Sequence, residues 1–351
     1  MGSSLDTQAL GFPVELSQLG REIKKLWERE SQTSTRASLI NFAVFCRGPE
    51  AMQASTDLLM EFTRHHACRA ILIGAEPDSS QDQIRAWINA HCHLSRAGAK
   101  QVCCEQVSFY FEGRTGNRIA NVLYANLDSD LPLYLWWQGD FPAPIDVQLW
   151  AWVDRLIFDS QSWAQPRQQF SLIREALSSG HSRLVLCDLN WTRSLHLRQA
   201  IAQMFDCPEN LTLLASLNTV TISHAPGFHS TALLLVGWLA AQLKLELHDS
   251  RPDNSQFTAP GGRPVRFVLK QESGRSISRC ELHSDTGSLL CQRDTAGDFF
   301  RMEIRHQHGD VHHHLLPSGS NAAAPLLLEE IAGGGPHRVY LRALAIAEPF
   351  F

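Results

Sequence analysis

One change of period divides this chain. From Ser38 to Leu247, short apolar runs alternate with longer segments of helical spacing. Beyond residue 264 the helical spacing gives way to short runs about ten residues apart, separated by Gly, Asp and Ser turns. The first pattern reads as strands at Leu39–Phe45, Arg69–Gly74, Val102–Phe111, Leu131–Trp137, Arg155–Phe158, Arg183–Asp188 and Leu211–Ser223. Between them, helical readings cover 51–66, Gln83–His93, Asn117–Leu127, Val147–Val153, Pro166–Ser178, Thr192–Phe205 and His229–Leu247. Such alternation predicts an α/β fold of doubly wound type with a largely parallel sheet. The second pattern predicts a C-terminal antiparallel β-rich domain.

The expected organisation is a helical arm over 1–36, an α/β domain over 37–248, a linker over 249–264 and a β-meander domain over 265–351. A division near 140–150 would split the α/β domain into two halves. The arm reads as amphipathic from Val14 to Glu30, and a last helix is expected over Ala322–Ile331.

Composition narrows the function classes. Hydrophobic residues at 44% and charged ones at 19% exclude a disordered chain. The net charge of −5 argues against a nucleic-acid binder, which carries a basic surplus. After Ser250 the charges balance, 11 basic against 11 acidic, so the surplus of acid lies before it. Only five of the 31 basic residues are Lys, and Arg is the better residue for paired contacts and interfaces. The longest apolar run, Ala232–Ala241, is about half a membrane span, so no membrane partner is expected. Nine scattered cysteines, with no secretory leader before them, predict reduced thiols in a cytoplasm.

Several familiar chemistries have no motif here. There is no G-x-G-x-x-G, no G-x-x-x-x-G-K-[ST] and no G-x-S-x-G. An α/β sheet without its phosphate loop need not be an enzyme, and no catalytic residue and no cofactor is expected. His91, Cys92, His93, Cys103 and Cys104 form a dense set of soft ligands, but the spacing matches no standard zinc site, and no metal is expected. Structural cysteines are the simpler reading, with a redox role as the alternative. His306, His308 and His312–His314 read as surface histidines on strands.

Three strand ends carry the remaining chemistry. Trp136-Trp137, Asp159-Ser160 and Asp188-Leu-Asn-Trp191-Thr-Arg193 all follow predicted strands. In a parallel sheet, sites concentrate at the C-terminal ends of strands. Two adjacent tryptophans cannot face one layer, so at least one is expected at a crevice or interface. The bland alternative is sheet-end capping with an internal Asp–Arg pair; in the functional reading Arg193 pairs with Asp188 or with a partner's carboxylate.

The ordered set CRAILI (68–73), CCEQV (103–107), DLPLYLWW (130–137), DRLIFDS (154–160), DLNWTR (188–193), AQMFD (202–206) and ALLLVGWLAAQL (232–243) resembles the OpcA family, the glucose-6-phosphate dehydrogenase assembly proteins. The resemblance spans about residues 15–247 and continues more weakly beyond. It implies a non-catalytic protein that binds glucose-6-phosphate dehydrogenase, promotes its active oligomer or its substrate affinity, and is tuned by thiol redox state. The expected functional cluster is Trp136, Trp137, Asp159, Asp188, Trp191 and Arg193, with Arg69 and Glu105 on nearby strands. Candidate redox residues are Cys103, Cys104, Cys280 and Cys291, the last two on neighbouring meander strands. The alternative is an enzyme or sensor that binds a phosphosugar or nucleotide at the strand ends, with Arg193 and Arg69 as anion donors.

Overall fold

A computed structural model describes residues 9–30, 34–94, 101–178, 184–294, 298–307, 309, 311–335 and 337–351. His308 lies outside them. The chain forms two compact units, one of residues 1–158 and 169–187, the other of residues 159–168 and 188–351. The chain crosses between them just after Phe158, after Gln168 and after Cys187.

The first unit holds strands β1 (Phe12–Pro13), β2 (Ser34–Arg36), β3 (Ile40–Arg47), β4 (Cys68–Glu76), β5 (Ile84–Leu94), β6 (Gln101–Glu112), β7 (Leu133–Trp137) and β8 (Arg155–Phe158). With β9 (Val185–Asp188) they form one sheet in the order β1-β5-β6-β4-β3-β7-β8-β9, and β2 pairs with β6. Pairing is parallel from β6 through β4, β3 and β7 to β8, as the alternation predicted. The central strands are mostly apolar because both their faces are buried, with Asn41, Glu105, Gln106 and Ser108 as buried polar exceptions. Helix α1 (Leu19–Glu30) occupies the predicted arm, and α2 (Gly48–Thr63) follows β3 with Pro49 in its first turn. Its Phe62 stacks on Phe42, ring centroids 4.4 Å apart.

One prediction fails in this unit. Gln83–His93 is not a helix but β5, antiparallel to β6 from Ile84↔Phe111 to Leu94↔Gln101. Ile84, Trp87, Ile88 and His91 do fall at helical spacing. Eleven residues of cross-strand pairing, with β-favouring Ile and Trp among them, override that local period.

In the first unit, α3 (Ile119–Ala125) and α4 (Val147–Trp150) follow β6 and β7. Helix α5 (Pro166–Ser178) then precedes β9.

In the second unit, α6 (Leu189–Thr192), α7 (Leu195–Met204) and α8 (Leu211–Ala215) lead to β10 (Leu217–His224). The predicted strand over Leu211–Ser223 is thus a helical turn followed by a strand. Then come α9 (His229–Leu243), β11 (Glu246–Asp249), β12 (Asn254–Thr258), β13 (Pro264–Gln271), β14 (Ile277–Ser284), β15 (Gly287–Arg293), β16 (Phe299–His306) and β17 (Val311–Pro317). Helices α10 (Ala323–Gly333) and α11 (Arg338–Ala347) end the unit. The sheet order is β11-β12-β13-β10-β14-β15-β16-β17. The expected meander is present from β14 to β17. Residues 249–264, read as a linker, contain β12. Strand β10, read as part of the first sheet, lies in the middle of this one, parallel to β13 and antiparallel to β14.

Helix α9 is apolar on all sides and buried from Thr231 to Ala240. It packs against α11, which sequence reading did not anticipate. Gly237 sets the approach, because a Cβ there would lie 2.2 Å from the Ala343 carbonyl oxygen. Gly237→Val should therefore force the two helices apart and cost about 1–3 kcal/mol, as overpacking does. A fall in the thermal midpoint measures it, and an unchanged midpoint would contradict the close approach.

Candidate functional site

The expected cluster is divided between the two units. Asp159, Asp188, Trp191 and Arg193 belong to the second, and Trp136, Trp137, Arg69 and Glu105 to the first.

In the second unit, Asp188 is the centre. It is buried, and its carboxylate accepts four hydrogen bonds. Oδ1 accepts from the amides of Ser160 (3.1 Å) and Asn190 (3.0 Å), and Oδ2 from the hydroxyls of Ser160 (2.6 Å) and Tyr340 (3.1 Å). Burial still dominates and pushes its carboxyl up to about 7. Asn190 extends the network, donating to the Ser160 and Ser230 hydroxyls at 3.0 and 3.1 Å.

Arg193 does not pair with Asp188. Its guanidinium is bidentate on Asp159, 3.0 and 2.7 Å. The physical reason is occupancy: Asp188 already has four donors, whereas Asp159 is half-buried and has both oxygens within reach. Trp191 is buried, with the Arg198 guanidinium 3.3 Å from its ring centroid. Thr192 donates to Glu330 at 2.5 Å, and Asp188 caps α6.

In the first unit, Trp136 and Trp137 are 6% and 5% exposed, so neither reaches an open crevice. Trp136 lies between Val44 and Ile157 on its neighbouring strands, and Trp137 stacks on Phe45 at 3.7 Å. The Trp137 indole N–H donates to the Asp140 carbonyl, 3.1 Å. The sheet has enough cover on both faces to bury two adjacent tryptophans, which the sequence argument did not allow for. Arg69 and Glu105 form an ion pair at 2.5 Å, and Trp27 of α1 donates to the same carboxylate at 2.7 Å. Glu105 is buried, so this trio ties the arm to the sheet.

The cysteines depart from the reduced state expected. Cys92 and Cys103 face each other across β5 and β6 and form a disulfide, Cα atoms 4.1 Å apart. That consumes two of the soft ligands, and a third, His91, meets the Gln106 side chain at 2.8 Å. Cys104 points the other way along β6, is buried, and its thiol is raised by burial. Cys280 and Cys291 are direct cross-strand partners but carry free thiols. Burial pushes Cys280 up to about 12 and Cys291 well above its usual range, which leaves them inert as nucleophiles. His312–His314 are exposed on β17, as expected.

One exposed aromatic escaped the sequence reading. Trp152, just after α4, is 68% exposed, while Trp150 two residues earlier is buried. The pair Trp150-x-Trp152 was the available signal, because i and i+2 leave a short helix on different sides.

A family model for the N-terminal domain of the "Glucose-6-phosphate dehydrogenase subunit" matches residues 60–175. A second model, for the C-terminal domain of the same family, matches residues 185–344. A curated protein of Nostoc punctiforme named "Putative OxPP cycle protein OpcA" is 24% identical over 317 residues, 83% of this chain and 66% of its own length. The protein of that name from Synechocystis sp. is 26% identical over 264 residues, 66% of this chain and 54% of its own. The chain thus spans between about half and two thirds of these relatives. Among solved structures, an aldose-aldose oxidoreductase from Caulobacter crescentus complexed with glycerol matches with a TM-score of 0.45 and 13% identity, over 89% of this chain and 96% of that one.

Two outcomes follow from this geometry. Asp188→Ala strands four donors in a dry site and should cost about 3–5 kcal/mol, whereas Tyr340→Phe removes one donor and should cost about 1 kcal/mol. A carboxyl raised to about 7 keeps its proton in the folded chain after the unfolded chain has lost it. Its contribution to stability is complete below about pH 4 and is lost as pH rises through about 7. The thermal midpoint of the natural chain should therefore fall relative to Asp188→Asn across that window, and parallel curves would refute the shift. The other outcome concerns thiols. Of the seven free cysteines only Cys207 is exposed, so brief alkylation of the native protein should modify Cys207 alone, read by peptide mass spectrometry.

Proposed function

We infer the function on the premise that this chain belongs to the OpcA family, the glucose-6-phosphate dehydrogenase assembly proteins, whose two domain models match residues 60–175 and 185–344. It acts without catalysis. It binds glucose-6-phosphate dehydrogenase in the oxidative pentose phosphate pathway and favours that enzyme's active state. The observation that carries this reading is the match of both family domains, in order, along one chain.

The mechanism is population shift. The protein can raise activity only by as much as it binds the active dehydrogenase better than the inactive one. The geometry of the strand ends supports a positioning part for the cluster rather than a direct contact. Asp188, Asp159, Arg193, Glu105 and Arg69 are engaged with one another or with neighbouring donors inside each unit. Trp136, Trp137 and Trp191 are buried. Together they hold the surfaces that meet the partner. Trp152 is of the residue type that anchors protein interfaces and is open to solvent. Redox tuning, in this reading, belongs to the Cys92–Cys103 disulfide, whose Cys92 is half-buried, whereas both Cys280 and Cys291 are fully buried.

Initial rates of the dehydrogenase from the same organism, with and without this protein, test the reading. A saturable fall in KM for glucose 6-phosphate or a rise in kcat is expected. Flat kinetics under both reducing and oxidising conditions would overturn it. A thermal shift with glucose 6-phosphate, 6-phosphogluconate or NADP⁺ alone, without the dehydrogenase, would instead favour the small-molecule sensor.

A further inference from the structure

The second unit's sheet has two unlike faces. Alternate residues of β10 and β13–β16 turn inward and are buried, among them Val220, Phe267, Leu282, Leu289, Met302 and Ile304. The opposite face is solvated, and its cross-strand register aligns the charges in rows. One row carries Arg266, His283 and Arg305, and another Lys270, Arg279 and Arg301. Between them runs a row with Glu281, Leu290, Glu303 and His313.

Five cations against two carboxylates give this face a charge of +3, in a chain whose net charge is −5. The bias is not compositional. After Ser250 there are 11 basic and 11 acidic residues, yet five of the former and only two of the latter stand in these rows. Both carboxylates are already engaged, Glu281 with Arg279 and Glu303 with Arg305. Among the described residues, no carboxylate pairs with Arg266, Lys270 or Arg301. The patch ends at β12, beyond which β11 carries Glu246 and Asp249. At the Arg279 end lies a hollow of ≈ 290 Å³ lined by Arg275, Arg279 and Arg293, with Glu272 and Asp294. The Arg279 Nε there is enclosed and makes no hydrogen bond.

We propose that this open face, from β13 through β10 to β17, docks an acidic surface of the partner protein. The proposal rests on the inference that the partner is the dehydrogenase, and it names the surface that meets it. A protein fits better than a phosphate polymer. Four of the five cations are Arg, the cation enriched at protein interfaces, where Lys is depleted. Leu290 and the exposed Val311 and Leu315 interrupt the charges with apolar surface, and the central carboxylates would repel a continuous run of phosphates.

The test uses immobilised full chain and the dehydrogenase, at low and physiological salt. Arg266→Glu/Lys270→Glu/Arg301→Glu turns the face from +3 to −3 at positions where no folding contact to a carboxylate is lost. Binding should weaken by about tenfold or more, chiefly through a slower on-rate, and the natural chain should lose affinity as salt rises. An equal charge change elsewhere, Lys24→Glu/Arg64→Glu/Arg118→Glu in the first unit, should leave binding within about twofold. Matching thermal midpoints establish that both variants fold. Binding kept by the face variant overturns the surface while leaving the assembly reading intact. No binding by the natural chain overturns both. Sedimentation showing that the face variant breaks up a self-associated species, with dehydrogenase binding unchanged, assigns the face to a second copy and overturns the proposal. Capture of duplex DNA by the natural chain, lost in the face variant, would do the same.

Discussion

A single dry carboxylate organises the second unit. Asp188 has no access to water, so its charge must be met by protein donors or its proton retained. The donors come from three separate stretches of chain: Ser160, Asn190 and Tyr340. Tyr340 brings α11 to the site, and the same helix is held against α9 at Gly237. Because these demands converge on one point, α11 has little freedom in where it packs. The neighbouring pair of Asp159 and Arg193 adds a second anchor, bidentate and largely enclosed. Groups that looked reactive as a string of letters thus find hydrogen-bond or ion-pair partners inside the fold.

The same economy governs the first unit. Two adjacent tryptophans are both buried, one between strands and one stacked on Phe45. Glu105 is shared by Arg69 and by the indole of Trp27. The proposed reading therefore assigns recognition to solvated surfaces: an exposed Trp152 in one unit and an open, positively biased sheet face in the other. An assembly protein needs no reacting group. It needs a stable shape and a surface with a preference for one state of its partner.

Much of the fold was readable in advance. The period-2 and period-3.6 patterns located β3, α2, β4, β6, β8, α5 and the meander strands, because burial of one face or of both leaves a direct imprint on residue order. The errors have a common cause. Gln83–His93 carries a helical spacing, yet pairs along eleven residues with β6. Leu217–His224 reads like one more parallel strand, yet it joins the second sheet between β13 and β14. In each case the deciding partner lies outside the segment whose period is read, whether in the next strand or far along the chain. The disulfide is of the same kind: Cys92 and Cys103 are eleven residues apart and meet only because a hairpin register places them opposite.

The sequence by itself determined the class of the protein: two regions of different period, no phosphate loop, an acidic balance, and an ordered set of motifs that belongs to one family. Those properties depend on local spacing and residue identity, which a linear string preserves. Only the tertiary structure decided what each candidate residue does. It gave Arg193 to Asp159 rather than Asp188, buried the paired tryptophans, joined Cys103 to Cys92, and gathered five cations from β13, β14 and β16 into two rows on one sheet face. Partner choice, burial and the summation of charge across strands depend on distance in space, and that distance is set by sheet order and register.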